Sequence, residues 1–266
     1  MRCIRSLLVL SLVLGAAPAS AVTIDACGNW FVPPGETADL VADLDCPVAT
    51  SIQLGRGARL RLNGHRLEGE PGGIAVFAGQ ARSSIEGPGT IAGWSIGVYL
   101  VRRGSRAKLE DIVFEDNGAA VTGSHDEATR VDATDLVVRD GVHGILAHTL
   151  VGERVRMTGN LGPAIDVRSL RGTDITVTGS GASELPWAIR VHNARVDGLE
   201  VTDNARVGLL ASGGVSLRRS NILRNDSSGE GVDIAARRKP ILRAPSTCGL
   251  SRDLDTGLPF GICLND

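Results

Sequence analysis

A short apolar strand that keeps returning constrains this chain more than any other feature. It reads Gly144-Ile145-Leu146-Ala147-His148, then Ala164-Ile165-Asp166-Val167-Arg168, then Ala188-Ile189-Arg190-Val191-His192. Further copies are Gly208-Leu209-Leu210-Ala211-Ser212 and Gly231-Val232-Asp233-Ile234-Ala235, with weaker ones at Gly97-Val98-Tyr99-Leu100-Val101 and Ala120-Val121-Thr122-Gly123-Ser124. With the first apolar residue as marker, the copies fall at Val98, Val121, Ile145, Ile165, Ile189, Leu209 and Val232, spaced by 23, 24, 20, 24, 20 and 23 residues. A period of this size, within the ~20–50 residue range of repeat architectures, points to stacked units rather than one globule.

Within each repeat, a polar stretch and two more apolar strands follow the marker. The last strand carries Leu109, Ile112 and Phe114 in one copy, Leu136 and Val138 in the next. Val155 with Met157, Ile175 with Val177, Leu199 with Val201, and Ile222 with Leu223 continue the series. Each ends at a turn-forming residue: Asn117, Asp140, Asn160, Ser180, Asn204 and Asn225. Three short strands per coil, stacked at the spacing of adjacent strands, make a parallel β-helix. A leucine-rich repeat shares the period but needs a recurrent Leu-x-x-Leu-x-Leu frame that is missing here. Aromatic residues make up only 3% of the chain. The core must therefore be built from Val, Ile, Leu and Ala, which suits thin stacked layers.

The ends of the chain read differently. Arg2 and Arg5, the apolar run Leu7 to Leu14 and Ala19-Ser20-Ala21 have the order of an export signal, which places residues 1–21 outside the fold. That run is too short to span a bilayer, and no other long apolar run follows. Cys3 leaves with the signal, and Cys27, Cys46, Cys248 and Cys263 remain. An even number in an exported chain predicts disulfides. Three pairings are open; Cys27–Cys46 with Cys248–Cys263 is the local one, stapling each end. A four-cysteine zinc site is the competing reading, without a Cys-x-x-Cys pair to support it. Solenoid ends expose unpaired edges. Residues 22–50 and 236–266 are accordingly expected as caps around a helix at 51–235, with Trp30, Phe31 and Phe260 available to plug the core ends.

The opening motif Asp43-Leu44-Asp45-Cys46-Pro47, with Leu60-Arg61-Leu62-Asn63-Gly64-His65 and Gly69, resembles the start of exported bacterial right-handed parallel β-helix repeat proteins of the pectate-lyase-like superfamily. The ending Ser246-Thr247-Cys248-Gly249 with Phe260-Gly261-Ile262-Cys263 is similar to their terminal segment. The resemblance implies an all-β, right-handed solenoid that is secreted or periplasmic. It also implies a substrate groove on the outward face of one sheet.

Strand alternation gives that face two outward columns. One is Tyr99, Thr122, Leu146, Asp166, Arg190, Leu210 and Asp233; the other is Val101, Ser124, His148, Arg168, His192, Ser212 and Ala235. Their polar middle, with Trp187 just upstream, is the candidate site. Asp166, His148, Tyr99 and Trp187 are expected to hold an acidic polysaccharide. Arg168 and Arg190 would neutralise its carboxylates, and His192 would act as base, as eliminative cleavage or epimerisation of a uronic acid requires. Glycoside hydrolysis is less well served. Asp166 and Asp233 lie three coils apart, roughly 14 Å at the strand spacing, beyond the usual carboxylate separation of roughly 5–10 Å. Asp126 or Glu127 would have to supply the partner. The plain alternative is an Asp166–Arg190 surface ion pair on a non-catalytic scaffold or adhesion module. Gly141-Val142-His143-Gly144 is only superficially similar to a catalytic Gly-His-Gly element, and the acid–base motifs of pectate lyases, polygalacturonases and alginate epimerases are not matched. His125, Asp126 and Glu127 have metal-ligand character but no partner spacing, so no metal is expected. With no phosphate loop and no Gly-x-Ser-x-Gly element, no cofactor is implied either. A formal charge of -2 argues against a nucleic-acid partner. The oligomeric state is left open.

Overall fold

The computed structural model describes residues 21–47, 50–79, 82–181, 185, 187–225 and 231–266. The export signal expected at 1–21 lies outside these residues except for Ala21. Among the described residues there is no helix; strands from Val22–Ile24 to Ser251–Asp253 form one continuous ladder whose pairings are parallel. The described residues form a parallel β-solenoid of about 9 turns.

The repeat dictates the register. Val98 pairs with Val121, Val121 with Ile145, Ile145 with Ile165, Ile165 with Ile189 and Ile189 with Leu209. All of these side chains are fully buried, so each coil rests its apolar residue on the one below. The same column extends backward through Val76 and Ile52 to Trp30. Its last member differs from the marker expected by period: Leu209 pairs with Ile234, and Val232 pairs with Val207. The slip is two residues, so the inward and outward faces keep their parity and periodicity alone could not resolve it.

A buried polar interaction fixes that register. The carboxylate of Asp233 is not in the outward column; it is buried. It accepts hydrogen bonds from Asn225 N (3.0 Å), Asn225 Nδ2 (2.8 Å) and Leu250 N (2.9 Å). It ends a column of buried side chains at one corner. Asn204 Nδ2 donates to Asn225 Oδ1 (2.8 Å) and Val177 O (3.1 Å), and its Oδ1 accepts from Ser180 N (2.8 Å). Asn225 Nδ2 donates to Val201 O (2.8 Å). At the other end, Asn117 Oδ1 accepts from Trp94 N (3.1 Å) and its Nδ2 donates to Ile91 O (2.8 Å). These amides supply partners to corner backbone groups that would otherwise be buried and unpaired.

The asparagines therefore do not themselves take up the left-handed bend. The residue before each corner position does: Asp116 (φ 52), Asp140 (φ 59), Asp203 (φ 57) and Arg224 (φ 56) precede Asn117, Gly141, Asn204 and Asn225. Asp140 is thus the bend residue of its coil, not the buried corner residue. Trp94 starts the corner column and is fully buried, which Gly69 permits: a Cβ there would lie 2.2 Å from the indole.

The disulfides are the local pair, Cys27–Cys46 (Cα–Cα 5.4 Å) and Cys248–Cys263 (4.8 Å), one near each end. The end segments also add rungs of their own: Asn29–Val32 pairs with Ser51–Leu54, and Ile241–Arg243 pairs with 216–218. Trp30 and Phe260 pack against the core as expected of plugs. Phe31 does not; it points outward and is 60% exposed.

Asn204→Ala should destabilise the solenoid by about 2–4 kcal/mol, because it orphans several buried groups at roughly 1–3 kcal/mol each. The exposed Glu200→Ala, on the strand that leads into this corner, should stay within about 0.5 kcal/mol. Urea melts of both variants check this; equal effects would show that the amide column does not hold the corner.

Candidate functional site

The candidate site depends on a change in the corners. In two early coils a turn separates the marker strand from the next strand, at 101–105 and at 124–129. In the following coils the strand runs through the corner without a break, as His143–Thr158, Ile165–Thr178 and Trp187–Thr202. The loop 124–129 therefore overhangs strands that have no loop of their own. His125 reaches along the stack in this way until its Nε2 lies 3.6 Å from Asp166 Oδ1. The register places Leu146 on the rung between them.

Asp166 alternates outward, as expected, yet its side chain is only 7% exposed. The His125 overhang and Arg190 cover it. Arg190, its direct register partner, grips it in two-pronged fashion, Nε to Oδ1 at 2.8 Å and Nη2 to Oδ2 at 2.5 Å. The guanidinium carbon also sits 5.1 Å from the Trp187 ring centre, a cation–π distance. Two of the five guanidinium N–H groups are used on Asp166, so three remain for other acceptors.

Two histidines complete the cluster. His148 donates from Nδ1 to the His125 carbonyl at 2.5 Å, which ties the overhanging loop to the next coil. That bond requires the proton on Nδ1 and leaves Nε2 as an acceptor while the ring is neutral. The pKa of His143 is lowered, first by burial and with partial opposition from the Asp166 charge, so it favours the neutral ring. Four buried side-chain polar atoms lack a hydrogen-bond partner among the described residues: His125 Nε2, His143 Nδ1, Trp187 Nε1 and Asn160 Oδ1. The first three belong to residues that surround the Asp166–Arg190 pair.

The expected residues thus divide. Asp166, Arg190, Trp187 and His148 are brought together. Arg168 and His192 share the neighbouring outward column, both exposed, and the flanking register pair Val167 and Val191 sets them side by side. Arg168 has no ion pair among the described residues, and His192 Nδ1 lies 3.0 Å from Ser212 Oγ. Tyr99 is three rungs away and instead meets Phe77 edge to face, with ring centroids 6.1 Å apart. His125 and His143 were the residues that sequence reasoning passed over as site members. A signal for His125 existed: the interval from Val121 to Ile145 is 24 residues against 20 for the next coil. The interval alone does not place the loop, since Ile165 to Ile189 is also 24 residues and has no loop after its marker strand.

Comparison with protein-family models, with curated proteins and with solved structures finds no match to this chain.

Asp166→Ala should cost about 1–3 kcal/mol through lost hydrogen bonds to a charged partner. The ion pair of the plain alternative is present, but its carboxylate is buried rather than solvated. Arg168→Ala should stay within about 0.5 kcal/mol, and urea unfolding distinguishes the two. His143 adds a pH dependence. Its folded pKa lies below the ordinary value of 6.5, so its contribution is complete above that pH and is lost as pH falls below it. Carboxylates held low by arginines, such as Asp135 beside Arg154 and Asp203 beside Arg224, lose theirs only below 3.8. His143→Gln should therefore flatten the urea midpoint just below pH 6.5 and leave the acid limb unchanged.

Proposed function

We propose that this chain is an extracytoplasmic member of the pectate-lyase-like β-helices that binds acidic polysaccharide across the outward face around Asp166 and Arg190. The observation that carries this reading is the buried Asp166 carboxylate gripped by an exposed Arg190 guanidinium, beside ring nitrogens of His125, His143 and Trp187 that have no protein hydrogen-bond partner among the described residues. Buried polar groups are nearly always hydrogen-bonded. A sugar polymer laid over the exposed Arg190 guanidinium would cover this cluster. Its carboxylates would meet Arg168 and the free N–H groups of Arg190, both able to hold a carboxylate in a two-pronged bond. The two disulfides fit an oxidising compartment, and hence an exported protein.

Catalysis at this face is the second reading, and the neutral bias of His143 favours it. A proton abstracted from the carbon next to a uronate carboxylate needs a neutral base and a cation to hold the developing charge. His143 or His192 would be the base, and Arg168 with Arg190 the cation, in an eliminative or epimerising step.

Calorimetric titration with polygalacturonate and alginate oligomers tests the binding. The wild type should bind at least one in the micromolar to millimolar range and should ignore a neutral glucan. Combined His125→Ala and Arg168→Ala should weaken binding at least tenfold, about 1.4 kcal/mol, with the melting temperature nearly unchanged. Absence of binding at millimolar oligomer rejects the proposal. A rise in absorbance at about 235 nm, the signature of unsaturated uronates, would place the protein among the lyases.

A further inference from the structure

A second face of the solenoid carries an unassigned groove of about 670 Å³. It lies on the sheet that follows the marker sheet around each coil, where 169–173, 193–197, 215–218 and 241–243 stack. Arg171, Arg195, Arg218 and Arg243 line it, and all four are exposed. Arg171 is the direct register partner of Arg195, and Arg218 is that of Arg243. Like charges directly opposite on neighbouring strands are destabilising. Two such pairs in one groove work against the fold.

Earlier coils of the same sheet balance their charges. Arg106 and Arg130 both bond Asp132, and Lys108 meets Glu110 within hydrogen-bond distance. In the groove the balance is absent. Asp197 is the single carboxylate among its lining residues, and Arg219 engages it at 2.6 Å, holding it below the usual carboxylate range. Arg218 stands 3.9 Å from Asp197, and Arg171, Arg195 and Arg243 have no carboxylate partner among the described residues.

We infer that this groove is an anion-binding track for an extended carboxylated polysaccharide, separate from the Asp166 face. The arginines recur on successive rungs, roughly 5 Å apart along the stack, so they meet a polymer that carries one charge per sugar ring rather than a single small anion. Ser169, Asn193 and Ser216 stand among them. Asn193 Oδ1 accepts from Gly214 N at 2.8 Å, which leaves its amide hydrogens for sugar hydroxyls. Single-stranded nucleic acid fits less well, because among the described residues no aromatic side chain lines the groove to stack a base. The proposal rests on the acidic-glycan reading above for its ligand class, but on different residues for its site.

The test compares two variants of the full chain. One replaces Arg171, Arg195 and Arg243 by Ser; the other carries His125→Ala and Arg168→Ala. Each is titrated with a decameric polygalacturonate at several salt concentrations. Single-stranded DNA and polyglutamate of similar length serve as competitors. The groove variant should bind the decamer at least tenfold more weakly, with a shallower salt dependence. Its melting temperature should be unchanged or raised, because the opposed charges are gone. If only the face variant loses affinity, the groove proposal falls and the Asp166 site stands. If only the groove variant does, the groove stands and the Asp166 reading falls. Wild-type protein that binds no polygalacturonate, or that prefers DNA or polyglutamate, overturns the groove assignment.

Discussion

Every rung of this solenoid depends on its neighbours for its main-chain hydrogen bonds. A parallel strand cannot satisfy its own N–H and C=O groups, and a coil of three short strands has no interior of its own to bury. Stability therefore comes only from stacking, and stacking works only if each coil repeats the shape of the last. That requirement explains the columns of Val, Ile and Leu, fully buried at the same register from Ile52 to Ile234. It also explains the corners, where a left-handed residue such as Asp116 or Asp203 turns the chain and the next residue, Asn117 or Asn204, holds the turned backbone to the neighbouring coil.

Coils that match in the core are free to differ at their corners, and the differences make the surfaces. The loop 124–129 leans over strands whose corner is tight, and it buries Asp166, which would otherwise be solvated. On the following sheet, rungs that carry arginine where earlier rungs carry balanced pairs form a cationic groove. Both features are variations on one constant scaffold, and neither disturbs the apolar ladder beneath it.

The strand positions, the inward and outward parity and the local disulfides were legible because each follows from local pattern: a period, an alternation and a short separation along the chain. The outward column through Asp166 and Arg190 was legible for the same reason. Three details were not. The pairing of Leu209 with Ile234 preserves parity, so Val232 and Ile234 are equivalent by pattern; the buried Asn225–Asp233 bond separates them. The corner asparagines read as bend residues because Asn tolerates left-handed backbone, whereas the bend belongs to the residue before each one. Phe31 read as a plug because it is large and apolar, yet its neighbour Trp30 occupies the inward position.

The sequence by itself determined that this chain stacks, which side chains face the core and where the stack is stapled, since these are consequences of periodicity and of cysteine placement. Only the tertiary structure decided what the outward residues meet. Asp166 is buried by a histidine more than forty positions earlier in the chain, on a loop two rungs below. The grooved arginines come from four separate coils. Contacts along the stacking axis join residues that are distant in sequence, and their chemistry depends on the length of each corner, which sets how far a loop reaches over its neighbours.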